Sequence, residues 1–344
     1  MEMGRMNPVI HKQTLRVARV VALAPYIHEL DKRGIDARQV SMDSGLPGDI
    51  LQYPNALLSV EKAFAFVDRA CQAANDRHFG LTVGQAAPLA VLGDYGRIMH
   101  CMPTVGDYLI EGVRLYNLLT NGQSLGIVTG ADTWRIQVGW SVGPETGQYQ
   151  SHLEILAVII NRCRQAAGRN WCPPAISLPL GQFVAIPESD LFAGTRLEQC
   201  GLGSWIDIPV DILKLGLPCD DNDPRKLSPG NSTRQLSGDL VDCVRTQIVE
   251  LIARPDLAVD LVAECLNLSR RTLQRSLEQR DVCFSGLLLA VRREMAMECL
   301  RTTDKPIIEI ALDLGYTDAS NFTRAFRKAN GLSPQCFRTA LGRA

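Results

Sequence analysis

Residues 306–338 read PIIEIALDLGYTDASNFTRAFRKANGLSPQCFR, and their pattern decides what the end of this chain is. Ala311 is small enough to let two helices approach closely. Gly315 tolerates the left-handed backbone that ends a helix. Asp318 is an N-cap candidate for the helix that follows. At about 100° per residue, Ala319, Phe322, Phe326 and Ala329 fall on one side of that helix. Ser320, Arg324 and Arg327 fall on the other, flanked by Asn321, Thr323 and Lys328. A helix, a tight turn and a second helix with a polar outer face make a helix-turn-helix, whose second helix lies in the DNA major groove.

The same plan occurs once more upstream. Ala263-Glu264-Cys265-Leu266-Asn267 aligns with Ala311-Leu312-Asp313-Leu314-Gly315 at an offset of 48. Leu273, Arg275 and Leu277 align with Phe322, Arg324 and Phe326 at an offset of 49, so the second copy has one extra residue in its turn. Ser269 is the N-cap candidate here. Leu273 and Leu277 face inward, while Arg271, Gln274 and Arg275 face outward. Arg and Gln suit bidentate contacts with guanine and adenine edges, and Arg and Lys neutralise phosphates. Glu278 shares the polar face and would repel phosphate, so it is expected to point out of the groove. One such hairpin is easily imitated by a solvated Arg-bearing helix. Two related copies are not.

Outward from the duplication, Asp239 to Ala253 has helical apolar spacing and ends at Pro255. The stretch 219–238, CDDNDPRKLSPGNSTRQLSG, holds few large apolar residues and reads as a linker. Before it the pattern is mixed. Leu15–Gly34, Val60–Ala74, Thr104–Thr120 and Gln150–Arg164 read as helices, the first interrupted at Pro25. Ser124–Val128 and Thr133–Trp140 alternate like the strands of a hairpin, with Pro174–Ile186 and Trp205–Val210 as further strands. The expectation is an α+β domain over residues 1–218, a linker over 219–238 and an all-α domain over 239–344. The helix-turn-helix units in the last domain cover about 259–280 and 307–330.

At this point the chain resembles the AraC/XylS family of transcription regulators. Residues 306–338 carry the I-x-x-I-A opening, the L-G-Y turn, the S-x-F-x-R-x-F helix and the G-x-S-P-x-x-F-R closing. The resemblance implies a seven-helix DNA-binding domain in which a long helix within Phe284–Arg301 joins the two units. By motif it carries base reading to Arg271, Gln274 and Arg275, and to Ala319, Ser320 and Arg324. Ala319 has no hydrogen-bonding side chain, so the second unit has the weaker direct readout. Asn321, Arg327 and Lys328 complete the expected DNA-contacting set. The first part is similar to the arabinose-binding type of effector domain through GLP near Gly45, FGL near Phe79 and LGDYGRIMHCMPTVGDYL from Leu92. That likeness implies a small-molecule sensor that often supports dimerisation, and does not imply sugar binding.

The formal net charge is -1, so DNA binding must rest on local surfaces. Eleven cysteines form no CxxC pair and are odd in number, which reads as reduced thiols and not as a disulfide framework or zinc site. The five histidines have no ligand spacing. No GxSxG, P-loop or GxGxxG stands in a usable context, so no catalytic residue, metal or cofactor is expected. Charges from Arg16 to Arg33 break any secretory core, and no apolar run is long enough for a bilayer, which points to the cytoplasm. No effector-binding residue stands out. Asp94 and Tyr95 sit among glycines and are candidates to line a pocket, though a turn is the plainer reading. Arg16, Arg19, Lys32 and Arg97 are candidate partners for a ligand carboxylate but read first as surface charge, and Trp134 and Trp140 read as core sooner than as ligand-stacking residues.

The reading is a sequence-specific DNA-binding transcription regulator, an activator sooner than a repressor, responding to an unknown small-molecule effector. Its expected partners are double-stranded DNA at a promoter or operator, RNA polymerase and a second copy in a homodimer, with no membrane. The alternatives are an interaction module that uses its Arg-rich helix faces, or an enzyme with an accessory helical domain.

Overall fold

The structure, a computed structural model, describes residues 14–139, 145–179, 189–200, 203–218 and 235–341. The first described element corrects an expectation. Residues 15–19 are not helical: β1 (Val17–Arg19) pairs antiparallel with β2 (Leu57–Ser59), and only Val20–Leu23, a short 3-10 helix, lead into α1. Val17 is β-branched and suits a pleated pairing better than a helix. Helix α1 (Ala24–Lys32) begins just before Pro25, where a missing N–H costs no helical hydrogen bond.

Helices α2 (Ala37–Asp43), α3 (Val60–Ala73), α4 (Phe79–Ala86), α5 (Gly93–His100) and α6 (Val105–Leu115) follow. Asp36, Ser59 and Thr104 cap α2, α3 and α6 through their side-chain oxygens. The expected hairpin is present as β3 (Leu125–Thr129) and β4 (Thr133–Val138); Trp140 lies outside the described residues. With β5 (Ala175–Pro179), β6 (Arg196–Cys200) and β7 (Ser204–Pro209) they make a five-stranded sheet in the order β3-β4-β7-β5-β6. Its one parallel pair is β5 with β6. The predicted strand 174–186 is seen as far as 179, and 180–186 lie outside the described residues.

Register explains the core of this domain. Ile127 opposes Ile136, Ile136 opposes Ile206, and Ile206 opposes Ile176, so four strands present isoleucine on one face. Ile136, Ile176 and Ile206 are fully buried together with Leu153, Leu156 and Ile160 of the long helix α7 (Glu145–Ala167). Helix α4 reaches α7 through Gly80 and Gly84. A Cβ at these positions would lie 1.9 Å from the Gln150 carbonyl oxygen and 2.4 Å from that of Glu154. Gln150 fastens the contact: its Oε1 accepts from Gly80 N–H (2.7 Å) and its Nε2 donates to the Arg77 carbonyl (2.8 Å). A four-residue helix α8 (Val210–Leu213) closes the domain.

After the segment 219–234, which lies outside the described residues, the chain is helical. Seven helices are described: α9 (Leu240–Leu251), α10 (Val259–Cys265), α11 (Arg270–Glu278), α12 (Phe284–Thr302), α13 (Ile307–Asp313), α14 (Ala319–Asn330) and α15 (Pro334–Ala340). The α+β then all-α order read from the sequence is therefore observed. The two parts also share apolar cores. Val17 and Leu57 belong to the cluster of Val244 and Ile248, while Leu251 and Cys265 join the cluster of Phe66 and Val67.

Candidate nucleic-acid interface

The first unit is α10, a turn and α11. Asn267 adopts φ +55° at the turn, the left-handed conformation that asparagine tolerates better than most residues. Ser269 Oγ then accepts the Thr272 N–H at 3.0 Å and starts α11. Leu273 and Leu277 are buried, which rotates Arg271, Gln274 and Arg275 into solvent. Among the described residues, none forms a hydrogen bond or ion pair with these three side chains. The neighbouring Arg270 is held by Asp260 at 3.0 Å.

The second unit is α13, a turn and α14. Gly315 sits at φ +72°, and a Cβ there would lie 2.3 Å from the Ile252 carbonyl oxygen, so no side chain fits. Asp318 Oδ1 accepts the Asn321 N–H at 2.7 Å, and backbone N–H donation holds the carboxyl below the usual aspartate range. Phe322 and Phe326 anchor the inner face in a run of tilted rings: Tyr316–Phe322 at 5.4 Å, Phe322–Phe326 at 5.7 Å and Phe326–Phe337 at 5.6 Å. Helix α12 grips the same turn. Arg292 donates to the carbonyls of Leu314 (2.9 Å) and Gly315 (3.1 Å) and lies over the Tyr316 ring at 4.7 Å.

The outer face of α14 carries exposed Ser320, Arg324, Arg327 and Lys328. Asn321 is engaged locally. Its Nδ2 donates to Thr317 and Asp318, and its Oδ1 accepts from Arg324. Ser320, Arg327 and Lys328 therefore point outward unengaged among the described residues, and Arg324 must release Asn321 to reach a base. Arg271, Arg275, Arg324, Arg327 and Lys328 together give the two outer faces a local basic charge that the net charge of -1 conceals.

The first domain encloses a cavity of about 120 Å³ between α1, α3, α5, α6 and α7. Its walls are mostly apolar, from Phe64, Val67, Leu92, Leu109 and Ile155, with four tyrosines and one carboxylic acid, Glu154. Glu154 was not visible as a site residue. Its only signal is that it interrupts the apolar run of α7 between Leu153 and Ile155. Tyr95 does line the cavity, but the candidate cations do not. Arg97 pairs with Asp94, Lys32 pairs with Glu29 at 2.9 Å, and Arg19 is buried against the Leu118 carbonyl at 2.9 Å. Trp134 packs on the apolar cluster beneath the sheet, as expected of a core residue. Among the described residues no cluster of histidine, cysteine or acid groups could hold a metal ion, and no helix is long and apolar enough to cross a membrane.

Comparison with known proteins agrees with this division. The family described as the arabinose-binding domain of AraC transcription regulator, N-terminal, matches residues 34–183, and a helix-turn-helix domain family matches residues 262–340. The regulatory protein SoxS of Salmonella typhimurium is 38% identical over 96 residues, covering 27% of this chain and 88% of that protein. The ornithine utilization regulator of Pseudomonas aeruginosa is 44% identical over 92 residues, covering 26% of this chain and 27% of that protein. This chain thus spans about a quarter of the length of that regulator in the match. The crystal structure of transcriptional regulator CdpR from Pseudomonas aeruginosa aligns over 93% of this chain and 98% of its own, at 18% identity and a TM-score of 0.42.

Proposed function

The chain belongs to the AraC family of transcription regulators, and on that premise we propose that it is a sequence-specific DNA-binding regulator switched by a small molecule. The observation that carries this reading is the pair of capped helices α11 and α14, each with a buried apolar side and an exposed Arg-bearing side. Base reading is assigned to Arg271, Gln274 and Arg275, and to Ser320 and Arg324. Arg327 and Lys328 are assigned to phosphates, and Asn321 to orienting Arg324. The two helices would enter successive major-groove turns about 10 bp apart. The boundary between sensor and DNA-binding domain is placed within 219–238.

The cavity supports the sensing half. It is concave and mostly apolar, with few polar groups, as small-molecule sites are. Switching then requires that the effector bind one arrangement of the two domains more tightly than the other. We assign the action to promoter DNA in the cytoplasm, to activation through RNA polymerase and to a homodimer, with no catalysis. Binding to a duplex from the gene's own upstream region, titrated with salt, tests the reading. A specific complex with a steep negative salt slope is expected. Equal binding to any duplex, or none, would refute it.

A further inference from the structure

Among the described residues Glu154 is the only acid on the cavity wall, and no Arg, Lys or His lines the cavity with it. Its side chain is half-buried in that wall. Tyr26 from α1 and Tyr116 after α6 lie close enough to interact with it, the Tyr26 hydroxyl as a hydrogen-bond partner of its carboxyl, and Tyr95 and Tyr108 line the same cavity. Arg162 lies over the Tyr108 ring at 5.3 Å and is not among the lining residues.

A carboxyl in a mostly apolar wall ionises readily only against a positive partner, and the described wall supplies none. A ligand anion would likewise meet no cation there. A ligand cation would complete an ion pair and meet tyrosine faces, which attract positive charge. The volume of about 120 Å³ keeps the rest of the molecule small, since an apolar cavity of about 150 Å³ holds no more than benzene. From the placement of Glu154 among these tyrosines, we propose that the cavity receives a small apolar amine, its ammonium paired with Glu154 and its ring or short alkyl body against Phe64, Val67 and Leu109. This deepens the effector-responsive reading and rests on it.

The chemistry carries a proton signature. Burial pushes the Glu154 carboxyl up to about 8. The four tyrosines are raised further by burial and stay neutral near pH 7, and Arg162 does not titrate there. Forming the ion pair at pH 7 therefore releases one proton from Glu154. Amine affinity should rise about tenfold per pH unit up to about pH 8 and flatten above it.

The test uses the purified full chain and calorimetric titration with butylamine, 1-butanol and butanoate. Butylamine is expected to bind at least about tenfold tighter than the alcohol, and the acid not at all. Glu154→Gln should abolish that preference and the pH dependence while ligand-free DNA binding persists. Equal or tighter binding of the alcohol or the acid, no binding of the amine, or unchanged amine affinity in Glu154→Gln would each overturn the proposal. Amine binding that leaves DNA affinity unaltered supports the ligand class and removes the switching role. Loss of DNA binding by the wild-type chain bears on the regulator reading alone.

Discussion

Gln247, in the middle of α9, accepts the backbone N–H of Leu57 through its Oε1 at 2.6 Å, with both residues buried. A side chain of the C-terminal helical part thus completes the edge of a strand in the N-terminal part. The contact has neighbours at helical spacing. Glu250 lies near Arg19, and Arg254 pairs with Asp49 at 2.7 Å while its ring-facing side covers Tyr53 at 5.6 Å. Arg19 and Leu57 flank Ala18 and Val60, both on the cavity wall. A movement of that wall has a short packed route to α9.

Replacing Gln247 with Leu leaves the Leu57 N–H buried and unpaired. The expected cost is about 1–3 kcal/mol of stability, read as a lower urea midpoint. The same variant should weaken the influence of any cavity ligand on DNA binding, measured as the ratio of operator affinities with and without ligand. An unchanged ratio would place the coupling elsewhere.

The two recognition helices should be unequal. Arg271, Gln274 and Arg275 are all open to solvent, whereas Arg324 is tied to Asn321 and Ala319 offers no donor. Arg275→Ala and Gln274→Ala should each cost about 1–3 kcal/mol and relax preference at one base pair. Lys328→Ala should weaken all sequences alike and reduce the salt slope by about one. Systematic binding to single-base operator variants separates these outcomes.

What the sequence made legible was local. Ala311, Gly315, Asp318 and Phe322 lie within twelve residues, and each does the work its residue type suits: close packing, a left-handed turn, a cap and a core anchor. Val17–Arg19 look helical locally, yet they take their strand form from Leu57–Ser59, some forty residues away. Glu154 leaves no local trace, because five helices contribute to the cavity it lines and none of them alone hints at it. The Gln247 contact spans 190 residues and leaves no periodic trace.

Asn267 and Gly315 hold equivalent turns but differ in tolerance. Gly315→Ala meets both positive φ and the Ile252 carbonyl, and should destabilise on the order of 3 kcal/mol with loss of DNA binding. Asn267→Gly relieves a mild left-handed strain and should shift stability by less than about 1 kcal/mol. Denaturation curves of the two variants, side by side, check the asymmetry. A tolerant Gly315→Ala would mean that the close approach to Ile252 relaxes freely.

Two titrating groups two residues apart on α7 should oppose one another in acid. Burial lowers His152 to about 4; its Nδ1 lies 2.7 Å from Ser204 Oγ. With an unfolded value near 6.5, the unfolded chain binds the extra proton, so this group's stability is present above pH 6.5 and is lost as pH falls toward 4. Glu154 has the opposite sign. Its folded value of about 8 lies above the unfolded one, so its stability is full below about 4.5 and is lost as pH rises through 8. Between about pH 4.5 and 6.5 the two proton differences cancel, while from 8 down to 6.5 Glu154 alone raises stability. Glu154→Gln should therefore show stability falling steadily from pH 6.5 to 4. His152→Gln should instead gain stability across 8 to 4.5, from a lower starting midpoint because the ring's packing is lost. Urea midpoints of the three proteins across this range decide it. Parallel profiles for all three would mean that neither group is displaced from its ordinary value.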